Sequence, residues 1–191
     1  LLALAPPLVA DDVPPEWDRV GVLHLAPVAR EIGADVASGI TADFVGVTPQ
    51  GWLRRLTVGQ AVAPAQWAAP SALLARVNAV VLSDEDVAAD PERIAWLGER
   101  VPLVVVTRGA EGADAYSGVR RVHQMAFRAN VVDPTGAGDV FATALFVRLW
   151  EGADLVRALR FAASAGAFAV ETVGRAGVPD RAAIEARPAT G

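Results

Sequence analysis

Apolar positions recur along the chain as short compact runs and longer helical ones, and their alternation predicts a succession of strands and helices. RVGVLHLAP, from Arg19, reads as a buried strand, and VAREIGADVAS, from Val28, as a helix. DFVGVTPQGWLRRLT then reads as a strand, a turn marked by Pro and Gly, and a second strand, with QAVAPA adding a short one. PSALLARV predicts a short helix and NAVVLS a compact strand that ends on polar residues. DPERIAWLGER starts as a helix should, with Asp90 as N-cap and Pro91 at the first helical position. VPLVVVTRG is the clearest strand, and ADAYSGVRRVHQM alternates around Ser117-Gly118 as a hairpin. A long apolar helix runs from about Asp139 to Trp150, Asp154 caps another in LVRALRFAASAGAFAV, and DRAAIEAR closes the chain. AVAPAQWAAP is the candidate for an exposed connector.

Strands alternating with helices imply a mostly parallel sheet covered on both faces. Ligands of such sheets bind at the carboxyl ends of the strands. Three polar punctuations fall there: SDED at Ser83–Asp86, TRGAEG at Thr107–Gly112, and DPTGAGD at Asp133–Asp139.

Composition narrows the choices. The 191 residues suit one domain with a real core, and 53% apolar against 20% charged residues describe a globular chain. No apolar run reaches the ~18 residues of a membrane span, and the opening LLALAPPLVADD, short and without a basic flank, argues against a signal peptide. A formal charge of −5 without a basic block argues against nucleic acid as partner. The absence of cysteine excludes disulfides, thiolate metal sites and cysteine nucleophiles. His24 and His123 each lie in an apolar run with no second histidine at ligand spacing, so they read as packed or edge residues. The chain opens on Leu1 and its lone methionine is Met125, so the sequence is expected to continue upstream.

DPTGAGD carries the sharpest chemistry. Glycines before a helix let backbone approach a ligand, and the free N–H groups of a helix start attract anions. Asp139 sits where an anion would bind, which makes sense for a carboxylate that takes a proton while the neighbouring N–H groups hold a transferring phosphoryl group. The competing reading is a glycine turn with an aspartate cap. A dinucleotide fingerprint fits less well, because GAGDVF lacks the last glycine, and a P-loop needs a lysine that is absent. In TRGAEG, Thr107, Gly109 and Gly112 either meet nucleotide phosphate or ribose or simply turn the chain. SDED either positions Mg²⁺ through water or caps the next short helix. Ala162, Ala163, Ser164, Gly166 and Ala167 allow close helix packing or wall a flat pocket. Trp52 and Trp67 are core anchors or stacking surfaces.

In this order, VVVTRGAEG, a hairpin, VDPTGAGDVFATALF and RFAASAGAFAV resemble the C-terminal half of the ribokinase-like (PfkB) carbohydrate kinase family. The resemblance implies a three-layer α/β/α sandwich with a mostly parallel central sheet, lacking the family's N-terminal strands and lid. It implies a kinase that uses ATP and Mg²⁺ on a hydroxyl of a sugar, polyol or nucleoside, cytoplasmic and able to dimerise. Asp139 takes the place of the base, and the N–H groups of Gly136, Ala137 and Gly138 that of the anion hole. Ser83, Thr107, Gly109, Gly112, Ala163 and Ala167 fall along the nucleotide. Asp133, Thr135 and Gly174 match the loop that binds a monovalent cation such as K⁺. Asp86 falls at the Mg²⁺-positioning acid, with Ser83–Asp86 standing where the family usually has Asn-x-x-Glu. A fold that has kept nucleotide binding and lost chemistry is the other function class.

Overall fold

The computed structural model describes residues 1–88, 90 and 92–188, with the backbone alone at 34 and 35. Six strands form one sheet: β1 (Arg19–Leu25), β2 (Thr41–Val47), β5 (Ala79–Ser83), β6 (Leu103–Thr107), β7 (Ala113–Ser117) and β8 (Arg120–Gln124), in that spatial order. The first four run parallel, and the β7–β8 hairpin adds an antiparallel edge. A separate two-stranded ribbon pairs β3 (Arg54–Arg55) with β4 (Ala63–Pro64). The helices are α1 (Ala34–Gly39), α2 (Ser71–Leu74), α3 (Asp84–Ala88), α4 (Arg93–Gly98), α5 (Ala137–Trp150), α6 (Leu155–Ala169) and α7 (Arg181–Ala186).

The alternation within β5 shows why three layers form. Val80 and Leu82 face a core with Leu73, Leu74 and Leu97 from α2 and α4, while Ala79 and Val81 face a second core with Leu145 and Phe146 of α5 and Leu159 of α6. A central strand apolar on both faces needs cover on both. The α/β architecture with a mostly parallel sheet is therefore as the sequence predicts.

Three local expectations are corrected. Helix α1 starts only at Ala34, because Val28 and Ala29 direct their N–H groups to the Glu31 carboxylate and Arg30 takes a φ of 63°. That local ring of hydrogen bonds competes with helix at the proposed start. The connector at 61–70 is not wholly exposed: it contains β4, and Trp67 is buried with its ring stacked 5.0 Å from that of Trp52. The two tryptophans are thus core anchors, and the Trp52 indole N–H is satisfied by the Ile32 carbonyl at 3.0 Å. Helix α4 follows Glu92, and the Asp90 carboxylate meets the Arg93 guanidinium at 3.0 Å instead of capping. Pro91, expected at the first helical position, lies outside the described residues.

Helix α5 is seated by two glycines of the sheet. A Cβ on Gly46 would stand 2.2 Å from the Phe146 ring, and one on Gly21 2.5 Å from the Trp150 ring. Going back along α5 from Trp150 to Phe146, the facing strand residues advance from Gly21 in β1 to Gly46, the residue next to the end of β2. The helix therefore runs against the strands, and its N-terminus points to their carboxyl ends.

Candidate active site

The carboxyl ends of β5 and β6 lie side by side, with Ser83 in register with Thr107. At β5, the Asp86 carboxylate accepts from the Ser83 N–H at 3.0 Å and from its hydroxyl at 2.8 Å, while the Ser83 hydroxyl accepts from the Asp86 N–H. This reciprocal arrangement closes the first turn of α3, so the capping half of the SDED reading is observed. At β6, the Thr107 hydroxyl donates to the Leu82 carbonyl of the neighbouring strand at 3.2 Å. The chain then turns through Gly109 and Gly112, both at positive φ. Gly112 admits no side chain, since a Cβ there would fall 2.0 Å from the Gln124 carbonyl oxygen of β8. The strand end, the turn and the hairpin are thereby held as one piece.

The DPTGAGD segment crosses from the hairpin to α5. Its backbone is tied to the end of α6: the N–H groups of Val132 and Asp133 both donate to the Val170 carbonyl, at 2.7 and 3.1 Å. The Asp133 carboxylate accepts from the Thr135 N–H at 2.9 Å. That bond, the Thr135 hydroxyl and the Gly174 backbone hold the Asp133 carboxyl below the usual carboxylate range. The structure thus brings Asp133, Thr135 and Gly174 together. Among the described residues no group of three His, Cys, Asp or Glu side chains gathers as a metal-binding set.

Gly136 is the N-cap of α5, at φ 81°, a left-handed conformation that glycine adopts without steric cost. Open space lies where Cβ atoms of Gly136 and Gly138 would be, so the backbone at this helix start is uncovered. Asp139 lies in the first turn beside it. Its carboxyl reaches solvent, yet partial burial pushes it above the usual carboxylate range, and among the described residues no cation or N–H donor offsets that shift. The Ala137 N–H donates to the Pro134 carbonyl at 3.2 Å, and the acid, less willing to ionise, stands beside the open backbone of Gly136 and Gly138 at the positive end of a helix.

The small residues of α6 are mostly packing residues. Ala162, Ala163 and Ala167 belong to the second core, and Gly166 lets α6 pass the first turns of α5, its Cβ position 3.7 Å from the Ala137 carbonyl. Two clusters escaped sequence reading. Asp114, 1% exposed, meets the guanidinium groups of Arg108 and Arg121 at 3.0 Å and His123 Nδ1 at 3.0 Å. The period-2 alternation of the hairpin, which puts Asp114 opposite His123, was the available signal. His24 is the second, bonded to hydroxyls distant in sequence that no local pattern announces.

The fold and site together define a three-layer α/β protein with a glycine-rich helix entrance at the carboxyl edge of its sheet. The chain belongs to the pfkB family of carbohydrate kinases, whose pattern matches residues 71–181. It is 42% identical over 109 residues to an acarbose 7(IV)-phosphotransferase of Actinoplanes, covering 54% of this chain and 36% of that protein. To the ribokinase of Bacillus subtilis it is 40% identical over 81 residues, 42% of this chain and 28% of the relative. Among solved structures, the nucleoside kinase of Methanocaldococcus jannaschii superposes with a TM-score of 0.70 at 20% identity, over 92% of this chain and 58% of that one. Arabidopsis thaliana ribokinase, solved with ribose and ATP, superposes with a TM-score of 0.65 at 24% identity, over 86% and 55%. These two likenesses establish the fold. The chain thus spans about a third of the length of the curated relatives it matches.

Proposed function

We propose that the protein is an ATP-dependent phosphotransferase that phosphorylates a hydroxyl of a small sugar, polyol or nucleoside, with Asp139 as the base. The observation that carries this reading is the Asp139 carboxyl, raised by partial burial, beside the uncovered backbone of Gly136–Gly138 at the start of α5. The N–H groups of Gly136, Ala137 and Gly138 form the anion hole for the moving phosphoryl group, and Asp139 receives the acceptor's proton. The relatives, a phosphotransferase and a ribokinase by name, support the reaction class.

Ser83, Thr107, Gly109 and Gly112 lie along the nucleotide, with the Ala163–Ala167 side of α6 bordering its base. Bound Mg²⁺ would supply charge neutralisation on the phosphates, and Asp86, which is turned toward Ser83, would help to position it through water. Asp133, Thr135 and the Gly174 backbone form the seat for a monovalent cation. A nucleotide donor of this kind goes with a cytoplasmic protein. Among the described residues no helix is long and apolar enough to cross a membrane.

The test is Asp139→Asn in the intact protein, with ADP release measured across a panel of sugars, polyols and nucleosides. Turnover should fall at least ~10²-fold, the effect of removing a general base. Near-wild-type turnover overturns the assignment of Asp139. ATP binding by the unaltered protein, without turnover on any acceptor, favours a nucleotide-binding module in its place.

A further inference from the structure

His24 lies one residue before the end of β1, on the face of the sheet covered by α5. Its Nδ1 is 2.9 Å from the Thr143 hydroxyl of α5, and its Nε2 is 3.1 Å from the Thr48 hydroxyl, the residue that leaves β2. Phe146 meets the ring edge-on, with centroids 5.0 Å apart. Burial lowers the pKa of His24 to about 4, so the ring is neutral at physiological pH. A neutral imidazole offers one donor and one acceptor. It therefore holds one of the two hydroxyls as a donor and the other as an acceptor. The groups that meet the ring are two hydroxyls and a phenyl; among the described residues no carboxylate or cation pairs with it.

Thr143 follows Asp139 by four positions in α5, and residues four apart share one face of a helix. The imidazole thus grips the same helix face that carries the acid, one turn further in. The close seating of Phe146 over Gly46 leaves that region of α5 little freedom to shift. The bond to Thr48 is partly buried and the one to Thr143 lies at the exposed rim, so the ring ties the helix to the strand ends from its edge. A half-buried histidine that only filled space would not be bonded through both ring nitrogens, one of them to the Thr48 hydroxyl in the partly buried interior.

We propose that His24 is a positioning residue: by bridging Thr48 and Thr143 it locks the first turns of α5 against the ends of β1 and β2 and so sets the Asp139 carboxylate beside the Gly136–Gly138 backbone. This inference rests on the reading of Asp139 as the base. In the intact protein His24→Ala should lower kcat by about tenfold to a hundredfold, the scale of a small misplacement of a reacting group. KM for ATP should stay near wild type. The acid limb of kcat/KM should move to lower pH, because a carboxyl freed from its partly buried seat ionises more readily. His24→Gln, whose amide supplies a donor and an acceptor, should restore most of kcat and the original limb.

Wild-type kcat and an unmoved acid limb in His24→Ala overturn the proposal, whatever happens to thermal stability. Carbon-13 NMR titration of the Asp139 carboxyl gives the same answer without turnover: an unchanged titration in His24→Ala also overturns it. Asp139→Asn run beside these variants separates the two ideas. If Asp139→Asn keeps turnover, the base assignment falls; if it loses turnover while His24→Ala is silent, the positioning role alone falls.

Discussion

Asp114 in the β7–β8 hairpin and Asp139 at the entrance of α5 are both acids that closely follow a motif glycine, Gly112 and Gly138, and their surroundings differ in kind. Burial pushes the Asp114 carboxyl up, but hydrogen bonds from Arg121, His123 and Arg108 outweigh it and hold the pKa at about 2. Asp139 feels partial burial with no such partners, and its carboxyl moves the other way. The hairpin acid is a structural knot, tying the residue after Thr107 to the strand that carries His123. The helix acid is left with its charge unanswered. The same protein gives one acid two guanidinium groups and an imidazole and leaves the other, among the described residues, without such partners, the contrast expected if Asp139 is the proposed base.

The largest stability effect should come from undoing the knot. Asp114→Ala leaves Arg108, Arg121 and His123 facing one another, and removal of one partner from a buried charge cluster typically costs 3–5 kcal/mol. Arg121 is 62% exposed and Arg108 31%, so solvent screens part of this, and about 2–3 kcal/mol is expected in urea unfolding. The pH dependence has a definite sign. Because folding depresses this pKa from 3.8 to about 2, the stabilisation is present above pH 3.8 and lost as pH falls toward 2. The Asp114→Ala protein should lack that loss. A large fall in turnover at unchanged stability would reverse the roles assigned to the two acids.

Much of this was legible in the chain. The two-faced apolar run of β5 and the hairpin alternation around Ser117-Gly118 depend on nearest neighbours and pleat, and both predicted their strands. Asp139 was legible because glycine, acid and helix start are adjacent in sequence, and adjacency is what a motif records. The 28–33 segment misled because its alternation suits a helix, while one side chain, Glu31, offers the backbone N–H groups a nearer partner. Trp67 was placed in a connector because its Pro/Ala neighbours look exposed, although its partner Trp52 lies fifteen positions away and the stack exists only in the fold. His24 illustrates the same limit: Thr143 is 119 residues distant, and nothing local foretells that contact.

Asp86 extends the comparison to a third acid, intermediate between the other two. Among the described residues it is partnered by the N–H and hydroxyl of Ser83 three residues earlier. Asp86→Ala should therefore cost about 1 kcal/mol, the usual effect of losing a helix cap, read in the same unfolding assay. A cost near that of Asp114→Ala would mean that the β5 end is a second knot. Asp86→Asn, which keeps an acceptor oxygen for the cap but removes the charge, isolates any part played in handling Mg²⁺: stability should be nearly retained while KM for Mg·ATP rises.

The smallest effect is the most discriminating, because it carries the opposite sign. Partial burial raises the Asp139 carboxyl pKa, so the folded protein holds that proton more tightly than the unfolded chain does. Stability contributed at this position is then greatest at low pH and declines as pH rises through the folded pKa. Asp139→Asn removes the charge and with it the cost of keeping it partly out of water. The helix start favours an acid, which works against the gain, while desolvation acts in the upward direction. Since the carboxyl reaches solvent, the net benefit is discounted to a few tenths of a kcal/mol at neutral pH. Thermal unfolding at pH 7 should show Asp139→Asn equal to or slightly above wild type, with the difference vanishing in acid. A clear loss of stability at pH 7 would mean that Asp139 is a cap after all, held by partners as Asp114 is.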